Sequence, residues 1–138
     1  MTTITVDVTV NSSVETVWKK WTDPDSIVQW NQASADWYCP KAANDLKVGG
    51  TFSFTMSARD KSSSFDFEGT YTKIEIHKTI EYTIIGGRKV SVLFEKVDDS
   101  TTKITETFDS EPTHSYEQQK DGWGAILMSF KRYCEGRK

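Results

Sequence analysis

This 138-residue chain has two cysteines, two histidines and three prolines. Its thiols, Cys39 and Cys134, lie far apart in the sequence, so a multi-bridge disulfide framework is excluded. No Cys/His spacing matches a zinc site: His77 falls at a strand end and His114 just before the last helix. Positive charge is also short. Lys plus Arg number 17 against 20 Asp plus Glu, a net charge of −3. With a pI near 5.4, neither nucleic acid nor an anionic membrane surface is expected as the main partner, since both need clustered positive charge. No stretch approaches the ~20 apolar residues of a membrane span. The start, Met1-Thr2-Thr3-Ile4-Thr5-Val6, has neither the basic residues nor the apolar run of a secretory leader. Two thiols without a leader predict a reduced, cytoplasmic protein. There is no Gly-x-Ser-x-Gly, no phosphate loop and no internal repeat. No cofactor and no metal are expected.

What the chain does have is aromatic residues: five Trp, seven Phe and five Tyr. Each ring buries a large area, so a length of one domain, residues 1–138, suffices for a packed core. Residues 4–10 alternate strictly, with Ile4, Val6, Val8 and Val10 on one face, which predicts a half-buried strand. Ser12 with Glu15 reads as a capping box. Val14, Val17, Trp18 and Trp21 follow at helical spacing. Asp23 with Pro24 predicts a second short helix that carries Ile27 and Trp30 inward. Residues 31–50 are irregular, with a short extended piece around 36–39 and a turn at Gly49-Gly50.

From residue 51 the period is two, and strands are expected near 51–58, 65–76, 79–85, 88–97 and 101–109. Gly86-Gly87 marks a tight hairpin. In the second of these strands the apolar phase changes after Gly69. A bulge near 71–73 would keep Phe67 and Tyr71 inside and leave Asp66 and Glu68 in solvent; without it both carboxylates enter the interior. Ser115 with Gln118 opens a long helix whose stripe includes Tyr116, Gln119, Trp123, Ile126, Leu127, Phe130, Tyr133 and Cys134. Gly122 and Gly124 inside it point to a close approach of sheet or ligand, or to a helix that begins only near Trp123. The sum is an α+β fold: a curved antiparallel sheet of six to seven strands around a long carboxyl-terminal helix, with two short helices after the first strand. Trp18, Trp21, Phe52, Phe54, Val92, Ile104, Phe108, Leu127 and Phe130 are the expected core.

Several stretches together resemble one family along nearly the whole chain. They are Val14-Glu15-Thr16-Val17-Trp18, Trp21-Thr22-Asp23-Pro24, Trp30-Asn31, Asp36-Trp37-Tyr38-Cys39-Pro40 and Asn44-Asp45-Leu46-Lys47-Val48-Gly49-Gly50-Thr51-Phe52. Further along come Phe65-Asp66-Phe67-Glu68-Gly69-Thr70-Tyr71, Thr105-Glu106-Thr107-Phe108 and Gly122-Trp123. Their order and spacing are similar to the helix-grip superfamily of START, polyketide-cyclase and birch-pollen-allergen-type (SRPBCC) domains. Within it the likeness is to bacterial homologues of the carboxyl-terminal domain of the activator of the heat-shock chaperone ATPase. The resemblance implies a helix-grip fold and a pocket, in a superfamily of carriers, sensors, co-chaperones and a few enzymes. Tyr38 departs from it, since relatives often carry His there, and no role of that imidazole is carried over.

Glu106 is the sharpest single residue. It shares a strand face with Ile104 and Phe108 and should point inward. It is either a polar anchor or acid/base group in a pocket, or a structural carboxyl satisfied by Tyr71, Tyr82, Trp123 or a backbone amide. The expected pocket lies between the sheet's inner face and the last helix. Its residues are Trp30, Trp37, Phe52, Phe54, Met56, Phe67, Tyr71, Tyr82, Val92, Glu106, Trp123 and Leu127, with Asn31, Asp36, Asp66 and Glu68 as rim or polar contacts. No catalytic set is legible. Three function classes follow: a binder of a small apolar or aromatic molecule, a co-chaperone-like interaction module with a chaperone partner, and a cyclase- or hydrolase-like enzyme using Glu106. They are ranked in that order. Monomer and homodimer both stay open.

Overall fold

The computed structural model describes residues 2–84 and 86–136. The elements run β1 (Thr3–Val10), α1 (Val14–Thr22), α2 (Pro24–Trp30), β2 (Trp37–Asn44), β3 (Thr51–Ala58), β4 (Ser64–Glu75), β5 (Thr79–Ile84), β6 (Lys89–Asp98), β7 (Thr101–Asp109) and α3 (Tyr116–Cys134). The strands form one antiparallel sheet in the order β1-β7-β6-β5-β4-β3-β2. Consecutive hairpins build β2 to β7, and β1 returns to the edge beside β7. The sheet curls into a half-barrel, and α3 lies in its hollow. The family resemblance implied this helix-grip architecture.

Local chemistry explains most boundaries. Ile4, Val6, Val8 and Val10 are buried, and the alternate residues of β1 are exposed. The first helix is capped by Ser13, not Ser12: the Ser13 hydroxyl accepts from the Thr16 backbone N–H at 3.3 Å. Ser12 is occupied otherwise, its carbonyl accepting from the Thr102 hydroxyl on β7. Asp23 caps α2 with Pro24 in its first turn. The capping box at Ser115 and Gln118 is present, so α3 begins at Tyr116 and continues through Gly122 and Gly124. Gly136, at φ +73°, ends it. Tyr116 leaves the expected stripe and is exposed, because it lies in the first turn, beyond the sheet's cover.

Two differences lie in the sheet. The piece expected around 36–39 is an eight-residue edge strand, β2, with a register shift between Tyr38 and Lys41. Its alternation is weak because an edge strand beside solvent has little apolar demand, and Pro40 sits where a ladder donor is dispensable. In β4 the register slips between Tyr71 and Lys73, which turns Tyr71 inward and leaves Asp66 and Glu68 exposed. Gly69 faces Phe52 across the β3–β4 ladder; a Cβ there would sit 2.6 Å from the Phe52 ring. The sequence-predicted strand 79–85 ends on residue 85, which lies outside the described residues.

The dense end of the core is a knot of three rings. Trp21 and Trp30 stack at 4.9 Å, and Phe130 meets both edge-on at 5.0 and 4.8 Å. Trp21 and Phe54, expected in the core, are only half-buried, because both also face open space inside the sheet. Phe130 has no exposed surface. Replacing it with Ala is expected to cost about 3–5 kcal/mol in denaturant unfolding; a loss under about 1 kcal/mol would contradict its place in the knot.

Candidate functional site

Between the sheet and the amino-terminal half of α3 lies a cavity of about 480 Å³. Its floor is aromatic: Phe52, Phe54 and Met56 from β3, Phe65, Phe67 and Tyr71 from β4, and Ile80 and Tyr82 from β5. α3 contributes Gln118, Gln119, Gly122, Trp123 and Ile126. Trp21, Trp30 and Asn31 close the end next to the ring knot. Arg88, Glu111 and His114 stand on the loops. Phe52 is the hub: it stacks on Phe54 at 4.9 Å and meets Tyr82 edge-on at 4.9 Å and Tyr71 at 5.3 Å. Trp123 lies flat on Phe108 at 3.9 Å, which fixes its ring as a wall.

Glu106 points into this space. It pairs in register with Val6 on β1 and Val92 on β6, neither of which offers a side-chain donor. The residue is 4% exposed. None of Tyr71, Tyr82, Trp123 and a backbone amide hydrogen-bonds to its carboxyl. The Tyr71 hydroxyl donates instead to Asn44 Oδ1 at 2.5 Å, and no described residue hydrogen-bonds to the Glu106 carboxyl. No fully enclosed side-chain N or O among the described residues lacks a partner, so the Glu106 oxygens open onto the cavity. Loss of solvent raises its pKa from the ordinary 4.5 to about 8. Burial, then the nearby Glu106 carboxyl and Tyr71, pushes the Tyr82 phenol upward as well. Asn31 is similar: buried, lining the cavity, its side-chain amide without a hydrogen bond from a described residue.

The mouth is built differently. Gln119 ties the β7–α3 loop to the helix, donating to the carbonyls of Glu111 at 3.1 Å and His114 at 2.9 Å. Burial pushes the Glu111 carboxyl up. The backbone N–H groups of His114 and Thr113, with their side chains, outweigh it and hold the pKa at about 2. Arg88 is held by its Nε donating to the Asp109 carbonyl.

Of the sequence-predicted site, Trp30, Phe52, Phe54, Met56, Phe67, Tyr71, Tyr82, Glu106, Trp123 and Asn31 come together at the cavity. Trp37, Val92 and Leu127 do not line it. Trp37 sits at the β2 edge against Phe65, 5.9 Å away. Val92 and Leu127 are enclosed at 0% and 1% exposure, because neighbouring side chains cover them before the open space begins. Asp36 lies outside on the loop before β2. Asp66 turns to the outer face, where Thr55 donates to it, and Glu68 also faces outward. Sequence reasoning missed Phe65 and Ile80, whose phase with Phe67 and Tyr82 was the available signal, and Trp21, read as core alone. Arg88, Glu111 and His114 lie on irregular segments with no periodic signal. Both cysteines are free and buried, and no group of three or more His, Cys, Asp and Glu among the described residues could hold a metal ion.

The Glu106 carboxyl links stability to pH. Below about pH 4.5 folded and unfolded chains both hold its proton. Between 4.5 and about 8 only the folded chain does, so stability falls as pH rises, by on the order of a few kcal/mol in all; above 8 the loss levels off. Glu106→Gln is expected to match the wild type near pH 4.5 and to exceed it increasingly up to pH 8 in thermal unfolding. A difference that stays flat with pH would place the carboxyl in solvent.

The comparisons agree with the architecture. No helix among the described residues is long and apolar enough to cross a membrane. No curated protein matches the chain. The solved structure of the AHSA1-like protein from Aeromonas hydrophila is 41% identical, covers 98% of this chain and 93% of its own, and superposes with a TM-score of 0.91. A protein from Cytophaga hutchinsonii is 53% identical over 96% of this chain and 92% of its own, with a TM-score of 0.83. The Aha1 dimer from Colwellia psychrerythraea is 20% identical over 98% and 97%, with a TM-score of 0.76, and shares the fold. The family model for Activator of Hsp90 ATPase homolog 1-like protein matches residues 11–135, and the chain belongs to that family.

Proposed function

We propose that the chain binds a small, mostly apolar or aromatic molecule in the cavity between the sheet and α3. The observation that carries this reading is the cavity itself. At about 480 Å³ it falls in the range of small-molecule sites, and its walls are aromatic with a few polar groups directed inward. Folding would be cheaper with this space filled, since empty apolar volume forfeits packing. Two polar side chains, Glu106 and Asn31, have no hydrogen-bond partner among the described residues and are accessible to an occupant.

The family's description favours a second reading, a co-chaperone-like module that acts on a heat-shock ATPase through its surface. Exposed apolar residues on the sheet, Leu93 and Val97 on β6, suit such contacts. The readings differ in what the cavity does: partner binding through the surface survives a plugged cavity, and ligand binding does not. A cyclase- or hydrolase-like use of Glu106 is the third reading, and it needs a second acid/base within reach of the bound molecule.

Gly122 offers the plug. It lies on the same α3 row as Gln118 and Ile126, both of which line the cavity, and a Cβ added there meets nothing within 4 Å. Gly122→Leu also removes a mid-helix glycine, which favours the helix by up to about 1 kcal/mol. The variant is expected to unfold at the same or a higher temperature and to lose uptake of a neutral apolar fluorophore such as N-phenyl-1-naphthylamine. Native mass spectrometry of freshly purified wild type is expected to show a co-purified small molecule absent from the variant. A bare wild-type mass together with no fluorophore uptake would overturn the reading.

A further inference from the structure

Among the described residues, Glu106 is the carboxyl on the floor of a cavity whose walls are largely aromatic rings, and Glu111 stands at its mouth. Three features bear on what it meets there. First, none of the described residues pairs a cation with it. At the mouth, Arg88 is held on the Asp109 carbonyl, and the His114 ring lies 2.9 Å from the Glu111 carboxyl. β1 and β6 flank Glu106 with Val6 and Val92, α3 contributes Trp123, and the titratable groups from β4 and β5 are the phenols Tyr71 and Tyr82. Second, ring faces carry negative quadrupole potential and attract cations while disfavouring anions. Third, a buried carboxyl without a hydrogen bond is costly to the empty protein, and a cation would remove that cost.

We propose that the occupant of the cavity is an amine, bound as its ammonium ion with N–H groups on the Glu106 carboxylate and its apolar remainder against the rings of Phe52, Phe67 and Trp123. The inference rests on the small-molecule reading above and names the ligand's chemistry. An alkylamine arrives from neutral water as R–NH₃⁺. Glu106, whose pKa in the empty cavity is about 8, must give its proton to solvent before it can pair with that ion. Binding near pH 7 therefore releases about one proton, and binding near pH 9 releases almost none. Below pH 8 the affinity falls about tenfold for each unit of pH, because the ionised fraction of Glu106 falls at that rate.

The test uses 4-phenylbutylamine and the isosteric neutral alcohol 4-phenylbutan-1-ol, titrated by calorimetry at pH 6, 7, 8 and 9 in buffers of different ionisation enthalpy. Wild type is expected to bind the amine more tightly than the alcohol at pH 8–9, with tightening from pH 6 to 8 and a released proton at pH 7. The alcohol's affinity is expected to be flat with pH. Glu106→Gln is expected to lose at least tenfold in amine affinity and all of the pH slope while keeping the alcohol. That control ties the pH slope to Glu106. Equal binding of amine and alcohol, or amine binding without proton release, overturns the inference and leaves the small-molecule reading standing. Failure of both compounds to bind, with no fluorophore uptake, overturns the reading beneath it. The wild-type pH series decides the matter even if the variant folds poorly.

Discussion

A single helix gripped by a curled sheet has to be packed against it, and here its carboxyl-terminal end is packed far more densely than its amino-terminal half. The knot of Trp21, Trp30 and Phe130 joins all three helices at the carboxyl-terminal end of α3. Ser129 adds a buried hydrogen bond to the Trp30 carbonyl at 2.7 Å, and Lys131 reaches the Thr9 carbonyl on β1. With that end fixed, the other half of α3 is held over the sheet by its capping box and the Gln119 tie to the β7–α3 loop. Nothing bulky fills the space beneath it, because the helix presents Gly122 there. The cavity follows from an asymmetry: a three-ring knot at one end of the helix, and at the other Gly122 beside a Trp123 ring held flat on Phe108.

The same geometry sets the electrostatics. A strand alternation that buries Ile104 and Phe108 carries Glu106 inward with them. In a filled core that carboxyl would need a donor, and its cross-strand neighbours are valines. It persists because the inner face at that position is open space. The bulge in β4 completes the arrangement. By turning Tyr71 inward and leaving Asp66 and Glu68 in solvent, it keeps those two carboxyls away from Glu106 on the floor of the cavity.

Much of the fold was legible because periodicity and capping chemistry are local. The alternation of β1, the Asp23-Pro24 start of α2, the bulge near 71–73 and the Ser115-Gln118 box all stand where the residues place them. β2 was read short because an edge strand with a proline and a register shift lacks the alternation that marks a buried one. The spacing of Ser12 to Glu15 points to a cap one residue early, and the Ser13 hydroxyl takes the Thr16 N–H instead.

Sequence alone determined the order of most elements, the inward face of the regularly alternating strands and the direction of Glu106, since each depends on a repeat of two or 3.6 residues read along one segment. Tertiary structure decided which inward residues touch open space and which are covered. Val92, Leu127 and Phe52 look alike in pattern, yet the first two are sealed by neighbours and the third forms the cavity floor. It also decided that Tyr71 bonds to Asn44 and leaves Glu106 without a donor among the described residues. Such outcomes depend on distances between segments far apart in the chain, and no local pattern encodes how far a curved sheet stands from the helix it grips.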